Sequence, residues 1–290
     1  MAAPACEHRA KVALRILRFP IKGWRVEARR GGTTSPFDPG GICAKVRLPA
    51  DACGTPLPMK PLFDSATAAA HLGAADECLA LVIARAAPCP LRPKRLGSLF
   101  TVLFRAIVYQ QLNGKAAATI LGRVEALFPG KRPEPAALLA MPEDALRAAG
   151  LSRNKLASVR DLAARILDGT VPSPAAARRM ADDELVGRLT EVRGIGPWTV
   201  HMLLMFDLGR PDVMPSGDYG VRMGFKKLYR KRNEPSPAQI ERHAARWKPY
   251  RSIAAWYLWR VHEIDLPARR SLRPSRSKEF GFRSTRNRQC

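Results

Sequence analysis

The stretch VRGIGPWTVHMLLMF, residues 192–206, restricts the fold more than any other part of this chain. Two glycines bracket one isoleucine, and an apolar run of helical length follows without a break. Gly194 and Gly196 permit backbone angles that a Cβ forbids and let another backbone come close. Pro197 suits the first position of a helix, where its missing N–H is no loss. Upstream, ADDELVGRLTEV reads as a helix that Asp182 or Asp183 can cap. The pattern predicts two helices joined by a tight hairpin, with free N–H groups gathered at a helix N-terminus that favours an anion. Gripping a nucleic-acid backbone is one use for such a turn; an ordinary helix–helix connection is the other.

The rest of the interval 76–266 reads the same way. AADECLALVIARAA has apolar positions at helical spacing, and GSLFTVLFRAIVYQQLNGKAAATILGRVEALFPG reads as two helices broken near Asn113-Gly114. EPAALLAMPEDALRAAG holds two short helices, the second stopped by Gly150. SRNKLASVRDLAARILDG starts at a Ser152 cap and stops at Gly169. SPAQIERHAARW and PYRSIAAWYLWRVHEI close an all-α domain with no convincing strand. Residues 1–75 are punctuated by Gly and Pro and are expected to form an extension of low order or a small appendage, in which only KVALRILRF alternates as a strand would. Residues 267–290 are expected to be a basic disordered tail.

Forty-nine basic against 25 acidic residues leave a net charge of +24 and a pI near 10.7, and the excess persists when both ends are set aside. So much like charge points to a polyanionic partner, with DNA or RNA ahead of an anionic membrane. No apolar run approaches the roughly 20 residues of a membrane span. The six cysteines, Cys6, Cys43, Cys53, Cys78, Cys89 and Cys290, form no C-x-x-C pair and no zinc or iron–sulfur spacing, so a reducing intracellular compartment, cytoplasmic, nucleoid-associated or nuclear, is expected.

The segment GRPDVMPSGDYGVRMGFKKLY then places a single acid, Asp218, 22 residues beyond Gly196, in a Pro/Ser/Gly-rich loop ahead of another helix. Hairpin, helix, loop and acid in this order resemble the helix–hairpin–helix base-excision DNA glycosylases, and specifically the 3-methyladenine DNA glycosylase II branch. RAIVYQQLNGKAAATI, GLSRNKLASVRDLA and WKPYRSIAAWYLW resemble the same branch. The resemblance covers about two-thirds of the chain, residues 76–266, and implies two helical subdomains with a cleft between them.

Breaking an N-glycosidic bond develops positive charge on the sugar, which a carboxylate can stabilise while it orients or deprotonates water. Asp218 is the candidate for that role; capping the next helix is its structural alternative, and the two are compatible. Asp207 and Asp212 read as surface or turn residues. In strand-cleaving relatives a hairpin lysine forms a Schiff base, and here the corresponding residue is Trp198. The resemblance therefore implies a monofunctional glycosylase that leaves an abasic site. The lysine nearest in sequence, Lys226, lies eight residues past Asp218.

An alkylated purine is cationic and suits an aromatic face. Trp259 matches the family's stacking tryptophan, Trp256 lies three residues before it, and Tyr109 is a second candidate wall. The family's other pocket aromatic falls on Met202, a departure. The residue that fills the space left by a flipped base falls at Gln111 or Leu112. Arg193 and Lys155, with Gly194 and Gly196, are candidate backbone contacts, as are Lys226 and Lys227. The family further implies a monovalent cation at the carbonyls of Thr190, Val192 and Ile195, but no cofactor. His201, Met202 and Met205 read as core or pocket lining, not as metal ligands. The expected partner is double-stranded DNA carrying damaged bases, bound by a monomer. A non-catalytic helix–hairpin–helix DNA-binding protein is the alternative, one that needs neither Asp218 nor Trp259.

Overall fold

Short polar side chains start most of the helices, each accepting a backbone N–H that the first turn leaves unpaired. The structure, a computed structural model, describes residues 61–94 and 96–265. The readings of KVALRILRF, of the C-terminal tail and of Cys6, Cys43, Cys53 and Cys290 fall outside those residues. Asp64 caps α1 (Ser65–Ala75), Asp76 caps α2 (Glu77–Ile83), Ser98 caps α3 (Leu99–Tyr109) and Asn113 caps α4 (Gly114–Glu125). Two short helices, α5 (Pro135–Ala140) and α6 (Glu143–Ala148), precede α7 (Arg153–Leu167), which Ser152 caps as expected. Ser173 caps α8 (Pro174–Arg179). Next come α9 (Asp182–Thr190), α10 (Pro197–Phe206), α11 (Tyr219–Leu228), α12 (Pro237–Ala244) and α13 (Arg251–Arg260). No strand occurs among the described residues. One cap differs from expectation. The N-cap of α9 is Ala181, and Asp182 and Asp183 stand in its first turn, where their charge meets the positive end of the helix dipole.

The helices pack as two bodies. In one, α3, α5 and α6 pack on α7 and α4 on α3, while α9 and α10 form the hairpin. In the other, α11 and α13 cross, α12 joins α11, and α1 and α2 pack on α13. At that crossing the backbones touch: a Cβ on Gly224 would lie 2.0 Å from the Leu258 carbonyl oxygen. The chain leaves the second body between α2 and α3 and returns to it through the loop between α10 and α11, which ends at Asp218.

The second body corrects the expected boundary at residue 75. Helix α1 lies within the interval assigned to an extension, yet Ala68 and Leu72 are fully buried in the common core. Its sequence, SATAAAHLGAA, is mostly alanine, so polar and apolar faces contrast too little to be read as an amphipathic helix. The next residue, Asp76, ties this end of the chain to the C-terminal helices. Its Oδ1 accepts the Leu79 N–H (3.1 Å), and its Oδ2 accepts the Tyr229 hydroxyl (2.6 Å) and the Trp247 indole N–H (3.2 Å), with His243 Nε2 at 2.9 Å.

Burial alone would push the Asp76 carboxyl up, but the bonds from His243, Tyr229, Leu79 and Trp247 outweigh it and hold the group at about 2. An unfolded aspartate titrates near 3.9. The stabilisation, about 2–3 kcal/mol, is therefore complete above pH 4 and is lost as the pH falls toward 2. Urea unfolding of the wild type should show this loss between about pH 4 and pH 2, and Asp76→Asn should lack it.

Candidate active site

The loop that carries Asp218 is pinned along its length. Arg251 grips Asp212 through Nε to Oδ1 (2.7 Å) and Nη2 to Oδ2 (2.9 Å). The Val213 N–H donates to the fully buried Ser252 Oγ (2.8 Å), and the Ser216 hydroxyl donates to Glu241 Oε1 (2.6 Å). Asp212 is thus a half-buried anchor rather than a surface residue. Asp207 pairs with Lys94 at 2.8 Å and ends α10.

At the end of this loop Asp218 is 7% exposed. Its Oδ1 accepts the Val221 N–H (2.8 Å), which makes it the N-cap of α11, and also the Trp259 Nε1–H (2.8 Å). Its Oδ2 accepts the Trp198 Nε1–H (2.8 Å). Catalytic candidate and cap are the same side chain. The hairpin position that a lysine occupies in strand-cleaving enzymes holds Trp198, and its indole contacts the carboxylate directly. Trp198 remains 41% exposed, so an apolar ring stands open beside the acid.

Two features of this cluster are absent from the sequence-based expectations. Phe206 stacks on Trp259, centroids 5.8 Å apart and planes 24° from parallel. It sits two helical turns past Trp198 with Met202 between them, so the i, i+4, i+8 spacing was the available signal. Gly220 lets Trp259 lie against α11, since a Cβ there would be 2.8 Å from Trp259 Cδ1. Trp256 is not a partner of Asp218: the guanidinium of Arg260 covers its ring at 4.6 Å. Tyr109 ends α3, half-buried, with the Arg105 guanidinium 4.7 Å above its ring.

The hairpin rests on α7 and on the end of α3. Gly194 takes the left-handed conformation (φ 78°), and a Cβ there would be 2.6 Å from Ser158 Oγ. The Arg193 N–H donates to Asp161 Oδ2 (2.7 Å), leaving the Arg193 side chain exposed. The Gln110 side-chain amide donates to the Gly194 carbonyl (2.8 Å). Gly196 is extended (φ −100°), and a Cβ there would meet nothing within 4 Å, so its small size serves open space rather than a forbidden angle. No described residue accepts the N–H of Gly194, Gly196 or Trp198. These unpaired donors lie at the N-terminus of α10, where the helix dipole favours negative charge. In the turn the Val192 carbonyl accepts the Ile195 N–H (3.0 Å), while those of Thr190 and Ile195 accept no backbone N–H across the turn.

Beside the hairpin, Gln111 is exposed with a left-handed backbone (φ 58°) and Leu112 is half-buried. A non-glycine residue in that conformation is a local strain of the kind found at functional tips. Lys155 is a correction. Its ammonium donates to the Val108 carbonyl (2.6 Å) at the end of α3, and burial holds it below the usual lysine range, so it braces the helix instead of facing a phosphate. Lys227 donates to the Val261 carbonyl (2.8 Å), while Lys226 forms no ion pair among the described residues. No cluster of His, Cys, Asp and Glu suited to a metal occurs among the described residues, and burial pushes the Cys89 thiol up to about 12, leaving it inert.

A hairpin with free donors, a carboxylate held between two indoles and a strained tip beside them define a protein that handles a nucleic-acid strand. The HhH-GPD superfamily base excision DNA repair protein model matches residues 104–249, and the chain belongs to that superfamily. It is 38% identical over 163 residues to the DNA-3-methyladenine glycosylase 1 of Schizosaccharomyces pombe, covering 56% of this chain and 72% of that one. The S. pombe 3-methyladenine DNA glycosylase in complex with abasic DNA is similar in structure (TM-score 0.57, 34% identity, 68% of this chain and 97% of that one). A DNA-3-methyladenine glycosidase from Bacillus halodurans is also similar (TM-score 0.63, 33% identity, 70% and 92%).

The two hairpin glycines separate fold from binding. Gly194→Ala should destabilise the protein by about 1–3 kcal/mol in urea unfolding, because the backbone angle and Ser158 both resist a Cβ. Gly196→Ala should leave unfolding within about 0.5 kcal/mol of wild type, yet weaken binding to duplex DNA by intruding on the strand.

Proposed function

We infer that this chain is a monofunctional DNA glycosylase that hydrolyses the N-glycosidic bond of alkylated purines, such as 3-methyladenine, in double-stranded DNA and leaves an abasic site. The observation that carries this reading is the Asp218 carboxylate, fixed at 2.8 Å by the indoles of Trp198 and Trp259.

The target base must leave the stack, at a cost of a few kcal/mol that is smallest for a damaged base. The N–H groups of Gly194, Gly196 and Trp198, with the exposed Arg193, hold the strand by its phosphates. Gln111, with Leu112 behind it, fills the vacated space. The flipped cationic purine stacks among Trp198, Trp259 and Phe206, with Met202 as a flexible floor. As the bond to the base lengthens, the anomeric carbon becomes electron-poor, and Asp218 lies where its negative charge opposes that development. The carboxylate then orients water and takes its proton as the new C–O bond forms. Because its donors are already in place, little reorganisation accompanies the step. With Trp198 in the lysine position, no amine is placed to form a Schiff base with the opened sugar, so the strand stays intact. The carbonyls of Thr190, Val192 and Ile195 would hold the monovalent cation that the family implies, which would add positive charge beneath the DNA strand. We further propose that the protein acts as a monomer inside the cell.

Incubation with methylated duplex DNA should release free 3-methyladenine, and strand breaks should follow only after alkali treatment. Breaks without alkali would contradict the monofunctional reading. No release of methylated, deaminated or oxidised bases, with DNA binding intact, would favour a non-catalytic helix–hairpin–helix DNA-binding protein.

A further inference from the structure

We propose that the groove along α11 is a second phosphate-binding track, which holds the DNA strand about four nucleotides from the lesion; the proposal rests on the DNA glycosylase reading above. The groove is open, encloses about 550 Å³ and does not include the Asp218 carboxylate. It begins at Tyr219 and Gly220, immediately after the catalytic candidate, and runs past Met223 to four cations, Lys226, Lys227, Arg230 and Lys231. His262, from the turn after α13, forms the opposite wall.

The charge is concentrated rather than balanced. Among the described residues no carboxylate lines the groove. Lys226 and Lys231 form no ion pair among the described residues, whereas Arg222 on the same helix is neutralised by Glu234 at 2.8 Å. The Lys227 ammonium donates to the Val261 carbonyl, which fixes one cation at the wall. His262 registers the field: partial burial and the Lys227 ammonium both hold its imidazole below the ordinary histidine range, with Glu263 opposing them weakly. Complementing the helix dipole accounts for a cation or two in the last turn. It does not account for Lys231 past the helix end, which faces the same hollow as Lys226 and forms no ion pair among the described residues.

Spacing identifies the anion. Asp218 and the pair Lys226–Lys227 are separated by eight to nine residues of α11, about 12–14 Å at about 1.5 Å per residue. For a duplex whose axis runs along α11, at about 3.4 Å per phosphate, this distance spans about four nucleotides. In that orientation a strand with its damaged nucleotide at Asp218 brings its later phosphates to Lys226 and, past the helix end, to Lys231. The hairpin grips the strand at the lesion and the groove grips it farther out, on one side only.

The test is the salt dependence of binding to a duplex with a central abasic-site analogue, for the wild type and for Lys226→Gln/Lys231→Gln. Lys131→Gln/Arg132→Gln, at the far end of α4, is the control for loss of surface charge. Removing two phosphate contacts should lower the log–log salt slope by about two, so that between 50 and 200 mM salt the wild type loses about tenfold more affinity than the groove variant. The control should keep the wild-type slope. Placing the abasic site two base pairs from one end should weaken wild-type binding for one strand polarity only, and the groove variant should not distinguish the two. Equal slopes for wild type and groove variant, or an equal drop in the control, would overturn the track. So would stabilisation of the wild type by inorganic phosphate that the groove variant loses with its DNA slope unchanged, which marks a small-anion pocket. A wild type that binds no DNA at any salt would overturn the glycosylase reading itself, an outcome distinct from equal slopes.

Discussion

Three N–H donors at 2.8 Å converge on one carboxylate, and the arrangement of the helices follows from that convergence. Trp198 comes from the start of α10, Val221 from the first turn of α11 and Trp259 from the last turn of α13. To bring them together α10 must lie across the cleft from α13, and α11 must pack so closely on α13 that Gly220 and Gly224 have no room for a side chain. Hydrogen bonds to a charged acceptor contribute about 1.5–3 kcal/mol each, so displacing Asp218 costs several kcal/mol in a protein whose total stability is about 5–15 kcal/mol. The site is therefore rigid before DNA arrives. That rigidity is what electrostatic stabilisation of a developing sugar cation demands.

Much of this was legible in the sequence because local chemistry and global fold agree. Ser152, Asp218 and the Gly194 turn announce their conformations through cap and turn chemistry, and the amphipathic spacing of α3 and α7 exposes their buried faces. The hairpin and the loop acid, separated by a fixed length of helix, carried the site. The failures have physical causes as well. Helix α1 is more than half alanine, so little in its pattern marks a buried face, and its burial depends on packing against α13, far away in sequence. Lys155 looked like a phosphate ligand because sequence does not reveal that the carbonyls ending α3 lie beneath it. Asp212 looked like a turn residue because Arg251 meets it across a tertiary contact. Phe206 could have been read from helical spacing, but Gln110 could not, since its link to Gly194 joins elements 84 residues apart.

The excess positive charge divides into separate tasks. Lys155 and Arg251 use theirs inside the protein, bracing α3 and the Asp218 loop. In the proposed function Arg193 and the hairpin N–H groups are assigned to the strand at the lesion, and Lys226 and Lys231 to the strand farther out. Net charge alone predicts a polyanion partner without saying which cations meet it. Their partners in the structure make that distinction: carbonyls hold Lys155 and Lys227 and a carboxylate holds Arg251, whereas Lys226 and Lys231 form no ion pair among the described residues.

The central claim is that the Asp218 carboxylate, and not the binding surface around it, drives base release. Single-turnover release of 3-methyladenine by Asp218→Asn, measured beside wild type with saturating methylated duplex, tests it most directly. Asparagine caps a helix about as well as aspartate, and its one oxygen can still accept from Val221 and Trp259, but its amide nitrogen cannot accept the Trp198 N–H. The variant should therefore stay folded with about 1–3 kcal/mol less stability, and its affinity for an abasic duplex, measured alongside, separates lost binding from lost chemistry. The account predicts a rate lower by at least about 10²-fold. Release at the wild-type rate would contradict it.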